Sequence, residues 1–150
     1  MTCEEIGWLD IFPIWKEKLW PNRTSVIEPT TSMKYLGGYD MENKIFSPLL
    51  LGIYDEYNIV AVNSLVLCND GSARSRGLWV DNSYRGLGLA KTILTKTITL
   101  AKLKNATFLW TIPRKSALPA YVSSGFIQTS NWFNEGMEYG PNCYAKHDLY

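Results

Sequence analysis

The chain is poor in the residues that build metal centres and covalent staples. Cys3, Cys68 and Cys143 are its three cysteines, an odd number with no C-x-x-C pair, which indicates neither a disulfide framework nor a zinc site. One histidine, His147, cannot make a metal site alone, so no metal is expected. Long apolar runs are also missing. "SPLLLGIY" and "ATFLWTI" are strand-sized, far below the roughly 20 residues of a spanning helix, so no membrane partner is expected. The first residues, "MTCEEIGWLDIF", carry acids where a secretory leader wants lysine or arginine; the expected compartment is the cytoplasm. There the Asn-x-Thr triplets at 22–24 and 105–107 have no glycosylation to accept.

The most specific deficit is of negative charge. Residues 82–134 contain no Asp or Glu, yet they carry Arg85, Lys91, Lys96, Lys102, Lys104, Arg114 and Lys115. The first 81 residues hold eleven acids against seven bases, and the last sixteen hold three against one. This imbalance suits a phosphate-rich ligand on the central segment. The acidic remainder suits a neutral or cationic second substrate and argues against general nucleic-acid binding.

What is present is enough for one folded domain: 150 residues, 46% of them apolar. Apolar spacing predicts a short amphipathic helix over 11–20, stopped by Pro21, and an irregular segment over 21–47. Strands are predicted at 48–56 and 58–70, joined near Glu56–Asn58, and at 73–80 after the turn "NDGS". A helix follows at 89–104, then a buried strand at 106–112. A short helix over 116–124, with Ser116 as N-cap and Pro119 in its first turn, ends at Gly125. Strands at 126–133 and 142–149 close an α+β sheet. No repeat or internal boundary divides it, and an open sheet edge makes a homodimer reasonable.

Between the third strand and its helix stands "YRGLGLAKT", a glycine turn of the kind that lets a backbone approach phosphate. It is no P-loop: Lys91 and Thr92 are present, but Arg85 and Ala90 hold the glycine positions. The dinucleotide pattern fails as well, because Lys91 holds its last glycine position. Arg85-Gly86-Leu87-Gly88-Leu89-Ala90 instead fits Gln/Arg-x-x-Gly-x-Gly/Ala, and "SALPAYVSSGF" fits A-x-x-x-Y-x-x-x-G-F at Ala117, Tyr121, Gly125 and Phe126. With these motifs the chain resembles the GNAT superfamily of N-acyltransferases over about residues 45–130.

The resemblance implies a mixed, mostly antiparallel central sheet flanked by helices, with its central strands splayed. It implies acetyl-CoA as cosubstrate and an amine, small-molecule or peptide, as acceptor. Arg85 to Ala90 would surround the pyrophosphate at a helix N-terminus. Leu78 and Val80 would hydrogen-bond the pantetheine arm, and Tyr121 would protonate the departing thiolate. Two departures stand out. Arg114 replaces an asparagine often found seven residues before the tyrosine, with Ser116 as a substitute contact. Arg74, Ser75 and Arg76 occupy the strand where a carboxylate base is common, leaving Glu28, Asp40, Glu42 and His147 as candidates. An acceptor amine of low pKa would need no strong base. Two alternatives stay open: an acyl-CoA-binding module without turnover, and an enzyme of this fold that modifies a nucleobase.

Overall fold

The computed structural model describes residues 1–27, 35–36, 48–135 and 137–150. Seven strands form one sheet in the order β1-β2-β3-β4-β5-β7-β6. They are β1 (Thr2–Glu5), β2 (Leu49–Asp55), β3 (Asn58–Leu67), β4 (Ala73–Val80), β5 (Phe108–Thr111), β6 (Ile127–Gln128) and β7 (Ala145–Asp148). All neighbours are antiparallel except β4 and β5. Helix α1 (Trp8–Ile14) lies toward one face, while α2 (Leu89–Leu103) and α3 (Leu118–Ser123) cover the other. Among the described residues no helix is long and apolar enough to cross a membrane.

The meander β2–β3–β4 follows the predicted pattern, because "IVAVNSLVL" is buried on both faces and its turns carry the local chemistry they need. On α2 the buried residues are Leu89, Ile93, Leu94, Thr97 and Ala101, a stripe at helical spacing that packs on β3 and β4.

Three elements differ from the sequence expectation. Residues 2–5 add an edge strand on β2; its largely exposed pattern has no apolar alternation to announce it. The first helix starts at Trp8, where the Gly7 N–H donates to Asp10 Oδ2 at 2.9 Å and closes its first turn. Pro13 lies inside it, and the chain continues as a π-helical turn over Trp15–Leu19, closed by Trp20 N–H to Trp15 O at 2.8 Å. The predicted strand at 126–133 shortens to two residues.

A bulge interrupts β4. Its register against β3 shifts between Val62 and Ser64, opposite Gly77 and Leu78. Gly77 has φ +83°, and a Cβ there would stand 2.4 Å from the ring of Trp15. The Trp15 indole also donates from Nε1 to the Gly77 carbonyl at 2.9 Å. The π turn therefore presses a buried indole onto the bulge, where a larger residue would not fit. On its other side β4 pairs with β5 only at Ala73–Leu109 and Arg74–Trp110. From Ser75 onward the two strands part.

Candidate active site

The parting of β4 and β5 opens a cavity of about 340 Å³, lined on one side by Ser75, Leu78, Ala117 and Tyr121. Strand alternation sends Ser75 toward α2 and α3, and Arg74 and Arg76 toward α1 and its π turn.

Tyr121 is held there by its own motif. Gly125 N–H donates to Val122 O, and Phe126 N–H donates to Tyr121 O, both at 3.0 Å. This Schellman arrangement ends α3 and places Phe126 back on the last turn. The two rings meet edge-on, 4.9 Å apart. The spacing Y-x-x-x-G-F thus encodes a helix stop that fixes the tyrosine ring. Tyr121 is 2% exposed. Burial pushes its phenol above its ordinary pKa, and the hydroxyls of Ser75 and Thr111 pull it partly back.

The Tyr121 hydroxyl lies 2.8 Å from Ser75 Oγ. Asn63 Nδ2 donates to Ser75 Oγ at 2.9 Å and to Thr97 Oγ1 at 3.0 Å. Thr97 donates in turn to the Ile93 carbonyl at 2.8 Å. Asn63, Ser75 and Thr97 are fully buried, so this chain ties the phenol through β4 and β3 to α2. Sequence reasoning missed these three. For Asn63 and Thr97 a signal was there, polar residues at positions that the β3 run and the α2 stripe reserve for the core, whereas Ser75 stands between Arg74 and Arg76 on β4 and carries none.

The glycine turn lies at the N-terminus of α2. Asp81 Oδ1 accepts Ser83 N–H at 2.9 Å and Tyr84 donates to Asp55 Oδ2 at 2.5 Å, fixing the approach. Gly88, at φ +78°, is the N-cap, a backbone state that glycine enters without strain. The first rung of α2 is Thr92 N–H to Gly88 O at 3.0 Å, so the N–H groups of Leu89, Ala90 and Lys91 have no acceptor within the helix. Nothing stands within 4 Å of a Cβ placed at Gly86 or Gly88. Arg85 and Leu87 are exposed, Leu89 is buried and Ala90 half-buried.

The other expected residues divide. Leu78 lines the cavity, whereas Val80 lies beyond its lining. Ser116 is exposed and is not the N-cap of α3; Ala117 holds that position without a side-chain bond, because the helix begins later than its propensities suggest. His147 stacks on Phe126 at 5.5 Å, and its Nδ1 is 3.0 Å from the Gly125 carbonyl, away from the cavity. Glu28, Asp40 and Glu42 lie outside the described residues.

The opposite wall differs most from expectation. The sequence suggested acidic surroundings, suited to a neutral or cationic second substrate. Trp20 and Tyr139 supply aromatic walls, but the charged lining is Arg23, Arg74, Arg76 and Arg114 against one carboxylate, Glu138. Glu138 accepts the Thr24 N–H at 2.9 Å and the Ser25 N–H at 2.5 Å, bonds that hold its pKa down at about 2.

A parted parallel strand pair, a glycine turn opening the following helix, and a tyrosine in the gap define the acyl-CoA transferase type of α+β sheet. Comparison with known families agrees: the model described as the acetyltransferase (GNAT) family matches residues 8–126. The chain belongs to that family. No curated protein matches the sequence. Among solved structures it is similar to a GNAT-family acetyltransferase from Staphylococcus aureus Mu50, with 21% identity over 69% of this chain and 68% of that one, TM-score 0.58. It is also similar to a Bacillus subtilis acetyltransferase in complex with CoA, at 15% identity, 69% and 78% coverage and TM-score 0.57. A third is the PaiA N-acetyltransferase of Thermoplasma acidophilum in complex with coenzyme A, at 15% identity, 69% and 62% coverage and TM-score 0.58.

Proposed function

We propose that the protein transfers an acetyl group from acetyl-CoA to an amine by direct attack in a ternary complex. The observation that carries this reading is the phenol of Tyr121 set in the gap between β4 and β5. Acyl-CoA supplies the acyl group already activated as a thioester. The space over Gly86 and Gly88 and the N–H groups of the first α2 turn fit its pyrophosphate. Arg85 adds a fixed positive charge beside it. That two proteins of similar fold hold coenzyme A supports the assignment. Leu78 and Val80, on the stretch of β4 that has left β5, offer backbone groups to the pantetheine arm and the thioester carbonyl.

Tyr121 acts as the acid. Thr97 spends its proton on the Ile93 carbonyl and so accepts from Asn63, whose other N–H goes to Ser75. Ser75 has two acceptors for its proton, Asn63 Oδ1 at 3.2 Å and the Tyr121 oxygen at 2.8 Å; when it donates to the nearer Tyr121, the phenol proton is left for the cavity. As the amine nitrogen bonds to the carbonyl carbon and the C–S bond breaks, Tyr121 hands that proton to the thiolate. A phenol raised above its usual value near 10 keeps its proton at neutral pH and so has one to give. It is a weaker acid than a thiol, so the donation is uphill taken alone and follows the charge that builds on sulfur as the C–S bond breaks.

The lining supplies little base. Among the described residues it contains no imidazole, and Glu138, with a pKa of about 2, is a poor proton acceptor. The acceptor therefore reacts as the free amine and releases its proton to water.

The test is thiol release from acetyl-CoA across a panel of amino acids, polyamines, aminoglycosides, peptides and nucleobases. Amine-dependent release supports the reading. A thermal shift with CoA but no thiol would leave a binding module, and steeply salt-dependent DNA or RNA binding would redirect the site to a nucleobase.

A further inference from the structure

The bulge in β4 sets the direction of one peptide in the site. Gly77 and Leu78 together face Asn63 of β3, two residues against one, so the ladder cannot pair both. Past the bulge the strand is regular: Trp79 pairs with Val62, Val80 pairs with Ala61, and Asp81 N–H donates to Val60 O at 2.8 Å. Backbone groups alternate between the two edges of a strand. Asp81 and Trp79 therefore point theirs at β3, and Val80 and Leu78 point theirs at the edge that β5 has left. Gly77 and Leu78 both line the cavity there.

The peptide joining Gly77 to Leu78 is trans, so its carbonyl and its N–H point in opposite directions. The carbonyl is held by Trp15, whose Nε1–H donates to it at 2.9 Å. That indole packs with Ile11, Leu50 and Val62, on the face of the sheet opposite Tyr121, Leu94 and Phe126. The Leu78 N–H is thus aimed away from the indole, toward the gap and the tyrosine. Glycine leaves the orientation of its peptide open, and Gly77, at φ +83° with no Cβ, is what admits the ring so close. The indole removes that freedom. Trp15 is fully buried and wedged between Trp8 at 6.0 Å and Trp20 at 5.4 Å, so the donor itself is fixed.

We propose that Trp15 is a positioning residue for acyl transfer: through the Gly77–Leu78 peptide, its indole N–H aims the Leu78 N–H at the thioester carbonyl. That role rests on the acyltransferase reading above. Trp15 lies outside the cavity lining and acts without meeting the substrate. As the amine attacks, negative charge builds on the carbonyl oxygen, and an N–H already aimed at it answers without reorganisation.

The experiment replaces Trp15 in the full chain by benzothienylalanine, which keeps the bicyclic ring and puts sulfur where the N–H stood, and by azatryptophan, which keeps the N–H. Infrared difference spectra of bound acetyl-CoA, isotope-labelled at the thioester carbonyl carbon, read the hydrogen bond directly. The benzothienyl form should move that stretch to higher frequency. It should also lower kcat for thiol release about ten- to a hundredfold with little change in the KM for acetyl-CoA. The azatryptophan form should match the native protein in both readouts. Trp8→Phe removes a ring that packs on Trp15 but leaves the indole N–H in place, and should leave the stretch unmoved. An unmoved stretch in the benzothienyl form, an equal shift in Trp8→Phe, or a benzothienyl form that no longer gains Tm from CoA overturns this inference and leaves the acyltransferase reading standing. A native protein that neither gains Tm from CoA nor releases thiol with any amine overturns both.

Discussion

Gly77→Ala tests whether the bulge is set by the indole that lies on it. An L-residue at φ +83° costs about 1–2 kcal/mol. The new methyl would lie 2.4 Å from Cε2 and Cζ2 of Trp15 and 2.5 Å from Nε1, where about 3.5–4 Å is comfortable. The ring must give way by about 1 Å, yet Trp15 is fully buried and packed between Trp8 at 6.0 Å and Trp20 at 5.4 Å. Overpacking of this kind costs about 1–3 kcal/mol, and a displaced indole weakens its bond to the Gly77 carbonyl by about 1 kcal/mol more. The expected loss is about 3–6 kcal/mol, or a Tm lower by roughly 10–20 °C for a chain of this length. Scanning calorimetry and urea unfolding measure it. In a Trp15→Leu background the same change should cost only its backbone share, about 1–2 kcal/mol. Equal costs in the two backgrounds, or a loss below about 1 kcal/mol in the native one, would refute the reasoning.

Four further outcomes are expected. Tyr121→Phe should lower thiol release about a hundredfold with the CoA-induced Tm rise retained; near-native turnover removes the phenol from the mechanism. Because the folded pKa of Tyr121 is raised, its proton stays on past pH 10, so the rate should climb with pH as the acceptor deprotonates and show no Tyr121-dependent fall below pH 10; a lower fall that vanishes in Tyr121→Phe would contradict this. Gly88→Val should abolish the thermal shift with CoA, since a β-branched residue cannot take φ +78° without moving the turn; an unchanged shift would place the phosphates elsewhere. Glu138, depressed from 4.5 to about 2, contributes stability that is fully present above pH 4.5 and is lost as pH falls toward 2; in Glu138→Gln that acid-side slope should disappear from an unfolding series.

The parts of the site that sequence made legible are those encoded by short-range spacing. Gly86, Gly88 and Ala90 announce a turn before a helix, and Tyr121-x-x-x-Gly125-Phe126 is a helix stop whose partners lie within six residues. The parts that were hidden depend on register between distant strands. Asn63 looks like a break in an apolar run and Ser75 like one more polar residue between two arginines, until β3 and β4 are aligned and the two side chains meet at 2.9 Å. Ser116 shows the reverse error: a good N-cap residue left exposed because the tertiary path starts the helix after it.

By itself the sequence determined the element order from β2 onward, the glycine turn and the tyrosine motif, because turn chemistry and apolar periodicity are local properties of a chain. Only the tertiary structure decided what faces the tyrosine. Arg23, Arg74, Arg76 and Arg114 are dispersed over about ninety residues among acids that outnumber the bases of the first segment, and they read there as ordinary surface charge. The bulge at Gly77, the π turn beneath it and the parting of β4 from β5 gather them on one wall. Electrostatics acts through distance in space, and distance along the chain does not reveal it.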